Sequence, residues 1–144
     1  MTKFYGKYKG EVVSNTDPEQ RGRLRVKVPA VYGEEENWAL PCVPFAGPGV
    51  GFFALPPTGA KVWVEFEGGD RDYPIWAGCF WGLGEAPATP AIEQMKVLKT
   101  DLGSITLNDT PGTGGIIVET TTGMKITLSA TGLEINNGQG GTIT

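Results

Sequence analysis

The C-terminal third of this chain repeats a unit too short to fold by itself. Gly103-Ser104-Ile105-Thr106-Leu107, Gly115-Ile116-Ile117-Val118-Glu119, Gly123-Met124-Lys125-Ile126-Thr127-Leu128 and Gly132-Leu133-Glu134-Ile135-Asn136 each follow a glycine with four or five strand residues, and Gly141-Thr142-Ile143-Thr144 opens a fifth unit. Ile105 and Leu107, Ile126 and Leu128, and Leu133 and Ile135 alternate with polar residues, the period of a strand with one apolar face. A two-stranded hairpin is marginal in water, and short repeats need neighbours to complete a core. The tail must therefore pack on the rest of the chain or associate with copies of itself. From Thr100 onward it has no Trp, Tyr, Phe or Cys. Its Thr and Ile suit an extended stack of strands. A triangular prism of three chains, with strands bonded across chains, would bury Ile105, Leu107, Ile126, Leu128, Leu133 and Ile135 inside and expose Thr, Lys, Glu and Asn outside.

The first eighty or so residues have a different texture. Tyr8 to Ser14 reads as a strand, followed by the turn Asn15-Thr16-Asp17-Pro18-Glu19-Gln20. Leu24, Val26 and Val28 then alternate with Arg23, Arg25 and Lys27, and Pro29 ends free pairing. Trp38 to Phe45 is extended but interrupted by Pro41 and Pro44. After a glycine-rich loop and Pro56-Pro57, Val62, Val64 and Phe66 share one face of a second clear strand. Tyr73 to Trp81 reads as a last strand. About five short strands in this length suit a small closed barrel such as an OB-fold. The expected organisation is all-β: an OB-fold barrel over residues 1–83, a linker over 84–99 containing Gly-Glu-Ala-Pro-Ala-Thr-Pro, and a short trimeric β-helix or β-prism over 100–144.

Composition excludes several classes. The chain has 144 residues, of which 40% are hydrophobic and 19% charged, so it is globular rather than disordered. Its net charge of −4 opposes nucleic-acid binding. There is no histidine, which removes His-dependent nucleophile machinery and every His-bearing metal site. No apolar run approaches the ~20 residues of a membrane span, so no stable membrane insertion is expected. The N-terminal MTKFYGKYKG lacks the apolar core of a signal peptide, which points to synthesis in a cytoplasm. Cys42 and Cys79 read as two buried free thiols, with a disulfide between them left open.

Sharper readings are weighed against plainer ones. Arg21, Arg23, Arg25 and Lys27, with Trp63, Trp76 and Trp81, have the composition of a single-strand-binding OB surface, but the acidic balance opposes this and a solvated or subunit-facing strand is the favoured reading. Glu65/Glu67 and Asp70/Asp72 read as solvated carboxylates rather than a glycosidase pair. Gly112-Thr113-Gly114-Gly115 lacks the Lys-Ser/Thr of a phosphate loop and reads as a turn. Phe52, Phe53, Trp63, Trp76, Phe80 and Trp81 read as barrel core and subunit interface. No catalytic residue, cofactor or metal ligand is expected.

Two long stretches carry a resemblance. Asp17-Pro18-Glu19-Gln20-Arg21-Gly22-Arg23-Leu24-Arg25-Val26, and the run from Gly51 through Pro56-Pro57-Thr58-Gly59 to Gly68-Gly69-Asp70 and Tyr73-Pro74-Ile75-Trp76-Ala77-Gly78, resemble the VgrG-like central spike proteins of contractile phage tails and type VI secretion systems, also called baseplate assembly protein V. The resemblance covers most of residues 8–81. It implies an OB-fold followed by a trimeric needle, a homotrimer, a PAAR-like tip protein and a place at the virion tail baseplate or the tip of an injection particle. It also implies a structural role, linking the tube hub to the tip and helping puncture a cell envelope, without enzymatic activity. Only Gly82 to Pro90 stands where some relatives carry a lysozyme domain. The barrel starts almost at Met1, so the trimeric hub is expected to be a separate protein. Five strands per chain on each prism face give a stub of roughly 24 Å. The alternative function is an OB-type binding module for single-stranded nucleic acid or another polymer.

Overall fold

The computed structural model describes residues 2–137 and the backbone of residues 142–143. The chain divides into two units, Met1–Gly84 and Glu85–Thr144.

In the first unit, β1 (Tyr8–Ser14), β2 (Leu24–Lys27), β3 (Glu36–Pro41), β6 (Lys61–Phe66) and β7 (Pro74–Phe80) close into a barrel of order β1-β2-β3-β7-β6. Neighbours are antiparallel except β3 and β7, which run parallel through Leu40–Ile75 and Pro41–Trp76. The alternation seen in sequence sets the core: Val12, Leu24, Val26, Val28, Val62 and Val64 are fully buried. Gly10 faces inward on β1 because a Cβ there would stand 2.9 Å from the Lys27 carbonyl oxygen and 3.0 Å from Val64. Phe66 fills one end of the barrel, its ring 5.7 Å from Tyr8, 5.8 Å from Tyr32 and 6.0 Å from Phe4. Tyr32 belongs to a one-turn helix, α1 (Pro29–Tyr32), that sequence reading did not anticipate. Pro29 stops strand pairing and at the same time has the fixed φ that starts a helix. Between β3 and β6 a two-stranded hairpin, β4 (Ala46–Gly47) and β5 (Val50–Gly51), stands apart from the barrel sheet.

The aromatic residues expected in core and subunit interface divide between the barrel interior and its surface. Of the six named rings only Trp76 enters the core, where its indole N–H donates to the Gly22 carbonyl at 3.0 Å. Trp63 and Phe80 pack on each other at 4.6 Å, while Phe52, Phe53 and Trp81 are exposed. The two thiols, expected buried, are free and exposed. Cys79 sits past a register shift between β6 and β7, which alters the inward phase of the strand.

The second unit is a six-stranded antiparallel meander: β8 (Met95–Lys99), β9 (Gly103–Asn108), β10 (Gly115–Thr120), β11 (Met124–Ser129), β12 (Gly132–Asn137) and β13 (Thr142–Ile143). Each strand pairs with its neighbour in sequence, so ladder bonds expected between chains are made within one. β8 lies in the stretch read from sequence as linker; Met95-Lys96-Val97-Leu98-Lys99 has no clean alternation to mark it. Of the fifth repeat, Thr142 and Ile143 form β13, while Gly141 and Thr144 lie outside the described residues.

Candidate functional site

Short connections lock the meander's register. β10 passes to β11 through Thr121–Gly123 and β11 to β12 through two residues, Ala130 and Thr131. Because side chains alternate strictly between faces, a fixed register determines which residues share a face. Leu98 stands opposite Ile105, Ile105 opposite Val118, Val118 opposite Ile126, and Ile126 opposite Ile135. A second row beside it runs Leu107, Ile116, Leu128, Leu133. The six residues singled out from sequence, Ile105, Leu107, Ile126, Leu128, Leu133 and Ile135, fall in these two rows on one face.

Three members were missed. Ile116 and Val118 are masked by the run Ile116-Ile117-Val118, which shows no alternation; Glu119 supplied the missing phase, since it assigns Ile117 to the polar side. Leu98 lay in the presumed linker. The opposite face carries Ser104, Thr106, Thr127, Glu134 and the cross-strand pair Glu119–Lys125.

Burial on this sheet does not follow polarity. Ile105, Leu107, Ile116, Val118, Ile126, Leu128 and Leu133 are 40–48% exposed, whereas Ser104, Thr106, Glu119 and Thr127 are less exposed than any of them. Ile135 is half-buried. Two continuous apolar rows exceed the few hundred Å² that soluble monomers usually leave in water. Covering them returns roughly 25 cal/mol per Å². The charged group the register puts on this face is Lys96, opposite Leu107 at the sheet's first strand and paired with Asp109; the rest of the rows is apolar, and their chemistry is association.

The second candidate was the basic stripe of the barrel. Asp17 organises it. Its carboxylate accepts backbone N–H donors from Glu19 (2.9 Å), Arg21 (2.9 Å) and Arg23 (3.2 Å), and the Arg23 guanidinium donates to Oδ1 through Nε (3.1 Å) and Nη2 (2.9 Å). The Arg23 hydrogen bonds, reinforced by the backbone donors and opposed by burial, hold this carboxyl far below its ordinary 3.8. Arg23 also pairs with Glu19 at 2.8 Å and lies over the Trp38 ring. Arg21 pairs with Glu19 and Arg25 with Glu36. The three arginines are thus matched by carboxylates, and Trp76 is withdrawn into the core. The acidic pairs do not converge either: Glu65 binds Lys7 at 2.6 Å, Glu67 opens a 3₁₀ turn, and Asp70 accepts the Asp72 N–H. Among the described residues no three His, Cys, Asp or Glu side chains are grouped to hold a metal ion.

Comparison with known proteins divides the chain at the same place as its composition. Residues 8–81 match the family described as the type VI secretion system/phage-baseplate injector OB domain. Residues 95–144 match the phage baseplate V C-terminal trimerisation domain. No curated protein gives a significant match.

Proposed function

We propose a mechanical role for this chain, which belongs to the phage baseplate V family: it is the central spike of a contractile tail baseplate, linking the tube hub to the tip and helping puncture the target cell envelope. The observation that carries this reading is the pair of apolar rows left uncovered by one chain. Three sheets that turn these rows toward a common axis cover all of them, and the match to a trimerisation domain supports that number. Ile105, Leu107, Ile126, Leu128, Leu133 and Ile135 then form the prism core, together with Leu98, Ile116 and Val118.

Such a prism is suited to carrying load. Each face is a hydrogen-bonded ladder of six strands, with neighbouring strands about 4.8 Å apart. Side chains from three ladders interlock along the centre, so bending one face requires unpacking the others. β13 ends the sheet order and has a ladder partner on one side only. Unpaired edges recruit other chains. A PAAR-like tip protein at that end and a separate trimeric hub at the barrel end complete the reading. The tip contact falls near Gly140, Gly141 and Thr144, which lie outside the described residues. The carboxylate pairing of Arg21, Arg23 and Arg25 weighs against the alternative of a nucleic-acid-binding OB module, because those side chains are already engaged.

Isolation of assembled particles tests the proposal. The chain is expected to co-purify with one hub protein and one small tip protein, in a density map that shows a threefold rod on the tube axis. Peptidoglycan hydrolysis by the pure protein, or a solvated distal end in the assembled particle, would sink it.

A further inference from the structure

The barrel unit carries an apolar surface that its own core does not use. The β4–β5 hairpin turns through Pro48 and Gly49, the latter at φ 72°, and the Phe52 N–H donates to the Phe45 carbonyl at 2.9 Å. Gly51, at φ 151°, has room for no side chain: a Cβ would stand 2.9 Å from the Phe45 carbonyl oxygen and 3.1 Å from the Ala46 Cα. The hairpin is therefore a stiff element with a defined display. It presents Phe45, Val50, Phe52 and Phe53, each 58–74% exposed, around a groove of 470 Å³. Leu55 and Trp76 contribute to the groove's lining.

Size and tethering decide what covers it. At 150–250 Å² per aromatic side chain, three phenyl rings exposed to this degree offer roughly 400 Å². A stable pairwise interface needs about 800 Å² from each partner. The patch is thus too small to hold a freely diffusing partner, yet large enough for a contact between molecules already held together. The trimerisation domain supplies that condition. Fourteen residues connect Phe80 to Met95, a reach of at most about 50 Å even if fully extended. A short tether of this kind gives an effective concentration in the millimolar range, at which weak contacts are populated.

We propose that the hairpin patches of the three barrels pack on one another, so that the barrels make their own threefold contact in addition to the one made by the tail. One patch repeated about a threefold axis closes on itself and leaves no open end. This inference rests on the trimeric reading of the chain.

The test uses the full chain with Cys42→Ser and Cys79→Ser. Pyrene is attached at Val50→Cys, or at Glu34→Cys as an exposed control away from the hairpin. Light scattering on the same samples gives the mass. The expected result is a trimer whose Val50 label shows excimer emission several-fold above the Glu34 label. Adding Phe52→Ser and Phe53→Ser should bring that emission down to the control level. A trimer with equal emission from both sites overturns the hairpin contact alone, as does an excimer that survives loss of both phenyl rings. A monomer overturns the trimeric reading on which it stands.

Discussion

In β2 and β6 of the barrel, Leu24, Val26, Val62 and Val64 have no solvent exposure; in β9 and β11 of the C-terminal sheet, Ile105, Leu107, Ile126 and Leu128 are 40–48% exposed. The local sequence is the same in kind, with apolar and polar residues alternating. The difference is closure. β1 pairs with both β2 and β6, and the parallel β3–β7 contact joins the remaining edges, so inward side chains meet each other. The meander pairs only sequence neighbours and leaves one whole face without a partner. On the proposed assembly, a barrel's stability belongs to one chain, while that of the meander depends on its copies.

The largest expected effect separates the two directly. Ile126→Asp sets three carboxylates about one axis, and burying an unpaired ion costs several kcal/mol. The trimer should be lost. All four tryptophans, Trp38, Trp63, Trp76 and Trp81, lie in the barrel unit, so their fluorescence should still report a folded barrel. Unchanged mass would place Ile126 in water.

Leu24→Ala is the converse. Removing a fully buried leucine side chain costs about 2–5 kcal/mol. The unfolding free energy read from the tryptophan signal should fall by that amount, lowering the denaturant midpoint independently of protein concentration, while the mass stays trimeric. A fall in mass would mean that the barrel core, rather than the tail, holds the copies together.

Asp17 makes barrel stability depend on acid. Its folded pKa is lowered, so its contribution is present above the ordinary carboxylate range and is lost as pH falls from about 4 downward. Asp17→Asn should melt at a lower temperature at neutral pH and show a shallower loss on acidification, followed by tryptophan fluorescence. Parallel acid curves for the two proteins would contradict this.

The smallest effect is at the residue beside Ile126. Lys125→Glu puts a second carboxylate opposite Glu119 on the polar face, a cross-strand repulsion of about 0.2–1 kcal/mol. A slightly lower melting temperature with unchanged trimer mass is expected. Dissociation as complete as that of Ile126→Asp would reverse the assignment of faces.

Sequence made the barrel core legible because Leu24-Arg25-Val26-Lys27 and Val62 to Phe66 alternate without interruption. It made six of the apolar-row residues legible for the same reason. It could not reveal Leu98, Ile116 or Val118, whose strands lack a clean period, nor β8, which earns its place only by pairing with β9. The fate of the aromatics was also hidden. Trp76 and Trp81 are five positions apart in one run, yet one donates to the Gly22 carbonyl in the core and the other is in water. That distinction comes from the β6–β7 register shift and the end of the strand at Phe80, which are long-range facts. Asp17 was recognisable as a turn residue, but its five hydrogen bonds required the turn to fold back on Arg23.

The mass of the full chain in solution decides whether the apolar rows are covered by copies of the chain. Sedimentation equilibrium at micromolar concentration should give three times the 15.3 kDa of one chain. A species of 15.3 kDa with its strand signal intact would show that the apolar rows of the meander stand in water unaided, and would contradict the account.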